Sequence, residues 1–211
     1  MLNHHRGEHI HHGYFLEPTD TKEKAQIQLI ELLLERSNLP KGSTVLDVGC
    51  GIGGTSRYLA SEHGCNVSGV TISGRQVEIA RKLSSEVVGA TVADEKDAKF
   101  KLGDGSVRFL ELDAEKMGDF FTAEPNKTTF DCVWISEAMS HLPNKELFFR
   151  NAALLLNPGG KLVVADWFKH EGLTEKEMEA DIKPIEGTLP RHISRDERLT
   201  KQRWHVASSA P

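Results

Sequence analysis

The sequence has few cysteines, no long apolar run and no excess of basic residues, and each of these absences narrows its possible functions. Its three cysteines, Cys50, Cys65 and Cys132, show no CxxC spacing, which favours reduced thiols over a disulfide framework or a zinc site. No stretch of about 18 apolar residues occurs, so no membrane span is expected. The 26 Lys and Arg against 31 Asp and Glu give a net charge of −5, which argues against a nucleic-acid partner. Without an apolar secretory signal at the N-terminus, a cytoplasmic localisation is expected.

Short β-rich runs alternate with helical segments along most of the chain. Strands are predicted over residues 44–48, 66–71, 107–112, 130–135 and 161–165. Helices are predicted over residues 21–37 and 53–63, and two more are predicted to begin after Ser73 and after the capping residue Asn144. Residues 86–106 are expected to form a long loop. This alternation predicts an α/β fold, a Rossmann-like doubly wound and mostly parallel sheet with helices on both faces. Ligands of such sheets bind beyond the carboxyl ends of the strands.

A glycine-rich loop follows the first predicted strand, at residues 47–54. It matches the GxGxxG spacing as Gly49, Gly51 and Gly54, so an oxidoreductase that binds a dinucleotide is one alternative. Asp47 favours a different ligand, because a carboxylate at this point repels a pyrophosphate and attracts a cation. A second interpretation of Asp47 is that it caps a turn or a helix.

The chain resembles the class I S-adenosylmethionine-dependent methyltransferases, and especially the branch with γ-tocopherol methyltransferase and the sterol side-chain methyltransferases. The segments that carry the resemblance are HIHHGYF (9–15), VLDVGCGIGGTSRYLA (45–60), GVTISGRQ (69–76), LDAEKM (112–117), FDCVWISEAMSHLPNKELF (130–148) and LNPGGKLVVADW (156–167). The resemblance implies S-adenosyl-L-methionine as the cofactor. It also implies methyl transfer to a small-molecule acceptor that is lipid-like, a prenylated phenol or sterol-like.

The resemblance also implies a set of cofactor-binding residues. They are Tyr14, Asp47, Gly49, Gly51, Gly53, Thr71, Ile72, Gln76, Asp113, Ala114 and Ser136. The family usually has an acidic residue for the ribose hydroxyls where this chain has Thr71 and Ile72, so Gln76 is a candidate for that role. Gln76 also has the spacing of a capping box with Ser73.

Two further positions have an open alternative of the same kind. Asp113 is predicted to accept a hydrogen bond from the adenine amino group, or else to be a carboxylate of a surface turn. Tyr14 is predicted to contact the cofactor or the acceptor, or else to be a packing residue.

Glu137 and His141 are the candidate catalytic residues. They follow the predicted strand over 130–135 and lie four residues apart, which puts both on one face if the segment is helical. A histidine can act as a general base near neutral pH, and a glutamate can orient it. The alternative is a helix cap and an ordinary surface histidine. A histidine cluster also precedes residue 13, but no metal site is predicted, because ligand spacing is lacking and the resemblance needs no metal.

The chain divides into three predicted regions, and the last one is short for the family. Residues 1–20 form a segment that covers the cofactor, residues 21–170 the methyltransferase domain, and residues 171–211 an incomplete lid helix (172–185) with an irregular tail. The family fold has seven strands in the order 3-2-1-4-5-7-6, of which only five are predicted here. The strand at 161–165 is then an exposed edge, with lower stability and impaired catalysis expected. The alternative function is a non-catalytic fragment that binds S-adenosylmethionine and pairs with a partner chain.

Overall fold

The computed structural model describes residues 9–89, 98–166, 174–177, 179 and 205–208. Seven strands form its sheet: β1 (Thr44–Val48), β2 (Asn66–Thr71), β3 (Phe100–Leu102), β4 (Gly105–Glu111), β5 (Phe130–Ser136), β6 (Leu156–Ala165) and β7 (His205–Ser208). The helices are α1 (Lys22–Ser37), α2 (Gly54–His63), α3 (Gly74–Val88), α4 (Met117–Thr122), α5 (Lys145–Leu155) and the single turn α6 (Glu175–Glu177). Two short 3₁₀ turns lie at Ala114–Lys116 and Met139–His141.

The strand order is β3-β4-β2-β1-β5-β6-β7. The five central strands β1, β2, β4, β5 and β6 are parallel, which confirms the predicted doubly wound parallel sheet. From β1 the chain runs outwards through β2 and β4 on one side, and then returns to build β5 and β6 on the other. This reversal of strand order beside β1 creates the crevice in which α/β sheets bind ligands.

Two antiparallel strands, β3 and β7, were not predicted. β3 lies inside the predicted loop 86–106 and forms a hairpin with β4, with buried Phe100 and Leu102 on either side of exposed Lys101. Three residues are too few for their alternation to stand out within a charged segment. Residues 90–97 of that loop lie outside the described residues.

β7 pairs with β6 in the register Val163↔Val206 and lies in the tail that was expected to be irregular. The expected exposed edge at residues 161–165 is therefore wrong in this structure. Backbone hydrogen bonds between neighbouring strands need no particular side-chain pattern, so the sequence carries little signal for such an addition.

The turn predicted at Asn157–Gly160 lies within β6 as an irregularity of the ladder. Phe130 pairs with Leu156 and Cys132 with Lys161, so three extra residues of β6 bulge between these two pairs. Gly159 has φ 77° there, and the Asn157 side chain donates a 2.7 Å hydrogen bond to Asp131 Oδ1. The bulge adds one anchored bend and leaves the rest of β6 parallel to β5.

Helices cover both faces of the sheet, and adjacent strand residues contribute to opposite layers. Trp134 packs into a core with residues of α1, α2 and α3. Its neighbours Val133 and Ile135 pack into a second core with residues of α4 and α5. This alternation along β5 is the period of two expected for a strand that is buried on both faces.

The helix predicted over 172–185 falls largely outside the described residues, which include there only 174–177 and 179 with the turn α6. No helix in the described part of the chain is long and apolar enough to cross a membrane.

Candidate active site

A cavity of about 450 Å³ lies at the carboxyl ends of the parallel strands. Its walls come from the loops that follow β1, β2, β4 and β5, and from residues 9–11, which lie across one side. The cavity therefore occupies the crevice that the strand order predicts.

The glycine loop forms one wall of the cavity, and two of its glycines leave no room for a side chain. Gly49 has φ 73°, and a Cβ on it would lie 2.3 Å from Ala138 Cβ. Gly53 has φ 81°, and a Cβ there would lie 2.5 Å from the ring of Phe109. A side chain at either position is excluded both by the left-handed backbone and by its neighbours. The same wall is stiffened by Arg57, whose Nη1 donates a 2.8 Å hydrogen bond to the Ile52 carbonyl.

Asp47 is a buried carboxylate in the cavity wall, 3% exposed. Its Oδ2 accepts a 2.6 Å hydrogen bond from the Ser56 hydroxyl. This partner is a side chain, whereas a capping carboxylate would accept from a backbone N–H. Burial raises the pKa of Asp47 to about 6, against the smaller opposing effect of the Ser56 hydrogen bond. A cation beside Asp47 would offset the cost of burying its negative charge.

Thr71, Ile72 and Gln76 form the wall beyond β2, where the family usually has an acidic residue. The Thr71 hydroxyl donates a 2.7 Å hydrogen bond to Gln76 Oε1, which leaves the Gln76 amide N–H groups to donate to a ligand oxygen. Only one half of the predicted capping box is present: the Gln76 backbone N–H donates to Ser73 Oγ at 3.4 Å. The Gln76 side chain is directed to Thr71 instead.

Asp113, Ala114 and Ser136 also lie in the wall, after β4 and at the end of β5. Asp113 Oδ1 accepts a 2.9 Å hydrogen bond from the Glu115 backbone N–H. Asp113 therefore stabilises a turn, as its alternative interpretation expects, and it also borders the cavity. Its predicted contact with an adenine ring stays a prediction.

Glu137 and His141 both line the cavity, although the segment between them is not an α-helix. His141 ends a 3₁₀ turn and is exposed. Glu137 has φ 53°, and its carboxylate is hydrogen-bonded to His12 of the N-terminal segment, with Oε2 2.6 Å from the ring Nδ1. The sequence placed both residues near the pocket but carried no signal for this partner.

Two predicted cofactor residues are not among those that line the cavity. Tyr14 packs against the core beside α1, and its backbone N–H donates to the Ala25 carbonyl at 2.8 Å. Gly53, between the lining residues Ile52 and Gly54, is the N-cap residue of α2. For Tyr14, the packing alternative describes the observed position.

The N-terminal segment that was expected to cover the cofactor contributes wall residues from its histidine cluster. His9, Ile10 and His11 all line the cavity. His11 Nδ1 lies 2.7 Å from the His12 carbonyl; because a carbonyl only accepts, Nδ1 carries the proton. Burial lowers the pKa of His11. Within the described residues, no group of three or more histidine, cysteine, aspartate or glutamate side chains could hold a metal ion.

The charges of the wall fit a cationic cofactor. Its carboxylates are Asp47, Asp113, Glu115 and Glu137, and the described residues that line the cavity include no lysine or arginine. A dinucleotide pyrophosphate would meet carboxylates without a compensating cation, whereas a sulfonium and an amino group would be stabilised. Together with the glycine-rich loop at the switch point, this defines the class as a methyltransferase fold for S-adenosylmethionine.

The chain belongs to the methyltransferase family whose model, described as a methyltransferase domain, matches residues 21–207. It is 37% identical over 172 residues to the 2-methyl-6-phytyl-1,4-hydroquinone methyltransferase of Synechocystis, a match that covers 79% of this chain and 47% of that protein. It is 33% identical over 196 residues to a probable chloroplastic tocopherol O-methyltransferase of rice (Oryza sativa subsp. japonica), covering 89% and 48%.

A solved structure of the mycolic acid cyclopropane synthase CmaA1, complexed with SAH and CTAB, superposes with a TM-score of 0.59 at 25% identity. That match covers 85% of this chain and 55% of the synthase. The chain spans about half the length of the curated relatives described above. Membership of this family decides against the dinucleotide oxidoreductase.

Proposed function

We propose that this chain binds S-adenosyl-L-methionine in the cavity and transfers its methyl group to a small-molecule acceptor that is lipid-like, a prenylated phenol or sterol-like. The observation that carries the proposal is the buried Asp47 carboxylate beside a glycine loop in which Gly49 has no room for a side chain. The similarity to a phytylhydroquinone methyltransferase and to a probable tocopherol O-methyltransferase supports the acceptor class. The acceptor is a small molecule and not a nucleic acid.

Each wall of the cavity has a proposed part in holding the cofactor. When bound, the cofactor supplies a methyl group on a sulfonium centre, which needs little activation. Asp47 attracts the positively charged amino-acid end, and Gly49 and Gly51 allow the backbone to approach it closely. Gln76 donates to the ribose hydroxyls, and Asp113 accepts from the adenine amino group.

The remaining wall favours a neutral, apolar acceptor. Leu142 and Pro143, next to His141 in the chain, line the cavity together with Ile10, and the four carboxylates of the wall repel anions. A phenol or another neutral hydroxyl compound is therefore preferred to an acceptor that carries a phosphate or carboxylate. Pairs of phenols that differ only by a carboxylate test this preference, with faster turnover expected for the neutral member.

His141 is the proposed proton acceptor. The protein aligns the acceptor oxygen or carbon with the methyl group and excludes water, and His141 removes the proton that the acceptor loses. His141→Gln is expected to lower turnover by about 10²- to 10⁴-fold, with S-adenosylmethionine binding unchanged. His63→Gln serves as the control, because His63 is hydrogen-bonded to Leu39 O away from the cavity.

A second candidate function is a non-catalytic module that binds S-adenosylmethionine and pairs with a partner chain. Calorimetry with S-adenosylmethionine, S-adenosylhomocysteine and NAD, followed by a methyl-transfer assay on a panel of lipids and phenols, separates the candidates. Binding without turnover on any acceptor favours the module, and failure to bind S-adenosylmethionine contradicts both.

The cytoplasm is the proposed location. The three cysteines are free and buried, and burial raises the pKa of each thiol, so the fold uses them as packing residues and needs no oxidising compartment.

A further inference from the structure

Glu137 is held in an unusual conformation at the edge of the cavity. It follows β5 directly with φ 53°, a left-handed backbone that few residues other than glycine and asparagine adopt. Its backbone N–H donates a 2.6 Å hydrogen bond to the Ala165 carbonyl at the end of β6. Strain of this kind is retained where the direction of a side chain matters.

Both carboxylate oxygens of Glu137 accept hydrogen bonds from His12, which lies 125 residues earlier in the chain. The His12 backbone N–H lies 3.1 Å from Oε1 and 3.0 Å from Oε2, and its ring Nδ1 lies 2.6 Å from Oε2. A general base must reach the proton that it removes. With both oxygens occupied by His12, Glu137 is better suited to hold a partner than to take a proton.

Residues 9–14, which we call the N-terminal strap, are attached to α1 along their other side. Gln26 donates to the carbonyls of His9 and His11, and Gly13 packs so closely on Ala25 that a Cβ would lie 2.4 Å from Ala25 Cβ. These contacts tie the strap to α1. The His12 contacts connect it to Glu137, directly after the end of β5.

On the basis of the proposed function, we propose that His12 is a positioning residue and that Glu137 is its anchor. Together they hold the N-terminal strap against the bound cofactor. His9, Ile10 and His11 are wall residues of the cavity, so loss of the anchor opens that wall. In this assignment the carboxylate of Glu137 retains the cofactor, and His141 remains the proton acceptor.

The test measures the rate at which S-adenosylhomocysteine leaves the full chain. His12→Ala removes the ring donor but keeps the backbone N–H, and the dissociation rate is expected to rise about tenfold, the loss of one charge-assisted hydrogen bond. His12→Asn can place its amide nitrogen where Nδ1 lies and is expected to restore a rate within about twofold of wild type. His63→Ala, a hydrogen-bonded histidine away from the cavity, is expected to leave the rate unchanged.

A double-mutant cycle distinguishes a role of Glu137 as the anchor of His12 from a role as a general base. Because the two side chains act through one contact, Glu137→Ala combined with His12→Ala is expected to change the rate little beyond Glu137→Ala alone. Glu137→Gln is expected to affect cofactor KM more than kcat. A wild-type dissociation rate in His12→Ala, additive effects in the cycle, or a loss confined to kcat in Glu137→Gln would each overturn the assignment.

Hydrogen exchange of the ligand-free chain tests the contact independently of the proposed function. The His12 backbone amide is expected to exchange faster in Glu137→Ala than in wild type. If wild type binds no S-adenosylhomocysteine, the proposed function fails, while this measurement still decides whether Glu137 anchors the strap. An unchanged exchange rate at His12 overturns the anchor.

Discussion

The Ser56 hydroxyl donates a 2.6 Å hydrogen bond to Asp47 Oδ2 where the end of β1 meets the first turn of α2. The same carboxylate is buried, and its pKa is raised to about 6. Its ionisation is therefore sensitive both to this hydrogen bond and to any cation that enters the cavity. Two predictions rest on this relationship.

The affinity for S-adenosylmethionine is expected to depend on pH through Asp47. The cationic ligand needs the ionised carboxylate, so Kd is expected to be constant well above pH 6 and to rise about tenfold per pH unit below it. Ser56→Ala removes a bond that lowers the pKa and is expected to move the midpoint to higher pH. Calorimetry from pH 5 to 8.5 measures both.

Ser37→Ala is the matched control for that experiment. Ser37 is a buried serine whose hydroxyl donates to the Leu34 carbonyl, away from the cavity, so the midpoint is expected to stay in place. A flat pH profile in wild type would show that Asp47 does not act on the cofactor.

The ligand-free stability is expected to respond to Asp47 in the opposite direction. Because the folded pKa, about 6, lies above the ordinary value of 3.8, the unfolded chain ionises first, and this group lowers stability as pH rises from about 4 to 6. Asp47→Asn removes the effect. The free energy of unfolding of Asp47→Asn, measured relative to wild type, is expected to increase by up to about 3 kcal/mol between pH 4 and pH 7. Urea unfolding measures the difference, and a pH-independent difference would contradict the prediction.

Gly49→Ala is expected to destabilise the chain more than Gly42→Ala. Both residues have left-handed φ values, 73° and 79°, but a Cβ on Gly42 meets nothing within 4 Å while one on Gly49 lies 2.3 Å from Ala138 Cβ. The backbone cost alone is about 1 kcal/mol, and overpacking adds about 1–3 kcal/mol. Thermal unfolding measures the difference. Equal losses of stability in the two variants would mean that the glycine loop can move away from Ala138 at little cost.

Asp113→Asn is expected to weaken S-adenosylmethionine binding while leaving the fold stable. Asparagine keeps an oxygen to accept from the Glu115 N–H, but it loses the charge and brings an N–H group towards the adenine amino group. A loss of affinity of at least about tenfold is expected, as for a hydrogen bond to a charged group. Asp119→Asn, on an exposed aspartate of α4, is the control. Unchanged affinity in Asp113→Asn would remove that residue from the site.

Removing β7 is expected to lower stability and promote aggregation. Deletion of residues 205–211 leaves the β6 edge from Lys161 to Val164 without its antiparallel partner, and unpaired edges recruit other chains. Deletion of residues 209–211 alone keeps β7 and is the control. Melting temperature and light scattering report the outcome, and equal behaviour of the two deletions would mean that β7 does not protect this edge.

The local parts of the fold were predictable because their causes are local. Asn144 caps α5 by accepting from the Leu147 N–H, and Gly64 ends α2 with φ 70°, both as the sequence indicates. β2 has its predicted bounds, from Asn66 to Thr71, because the β-branched residues Val67, Val70 and Thr71 favour a strand there. Short β3 and the ladder partner β7 lacked such signals, since both depend on pairing with another strand.

By itself, the sequence determined the alternation of strands and helices, the glycine loop with its carboxylate at Asp47, and hence the family and the edge of the sheet where the cavity lies. These follow from residue type and spacing within one segment. Only the tertiary structure decided that Tyr14 packs on the core. It also decided that Gln76 forms a hydrogen bond with Thr71 instead of completing a capping box, and that Glu137 forms one with His12. Such contacts join segments far apart in the chain, and the packing of whole elements sets their geometry.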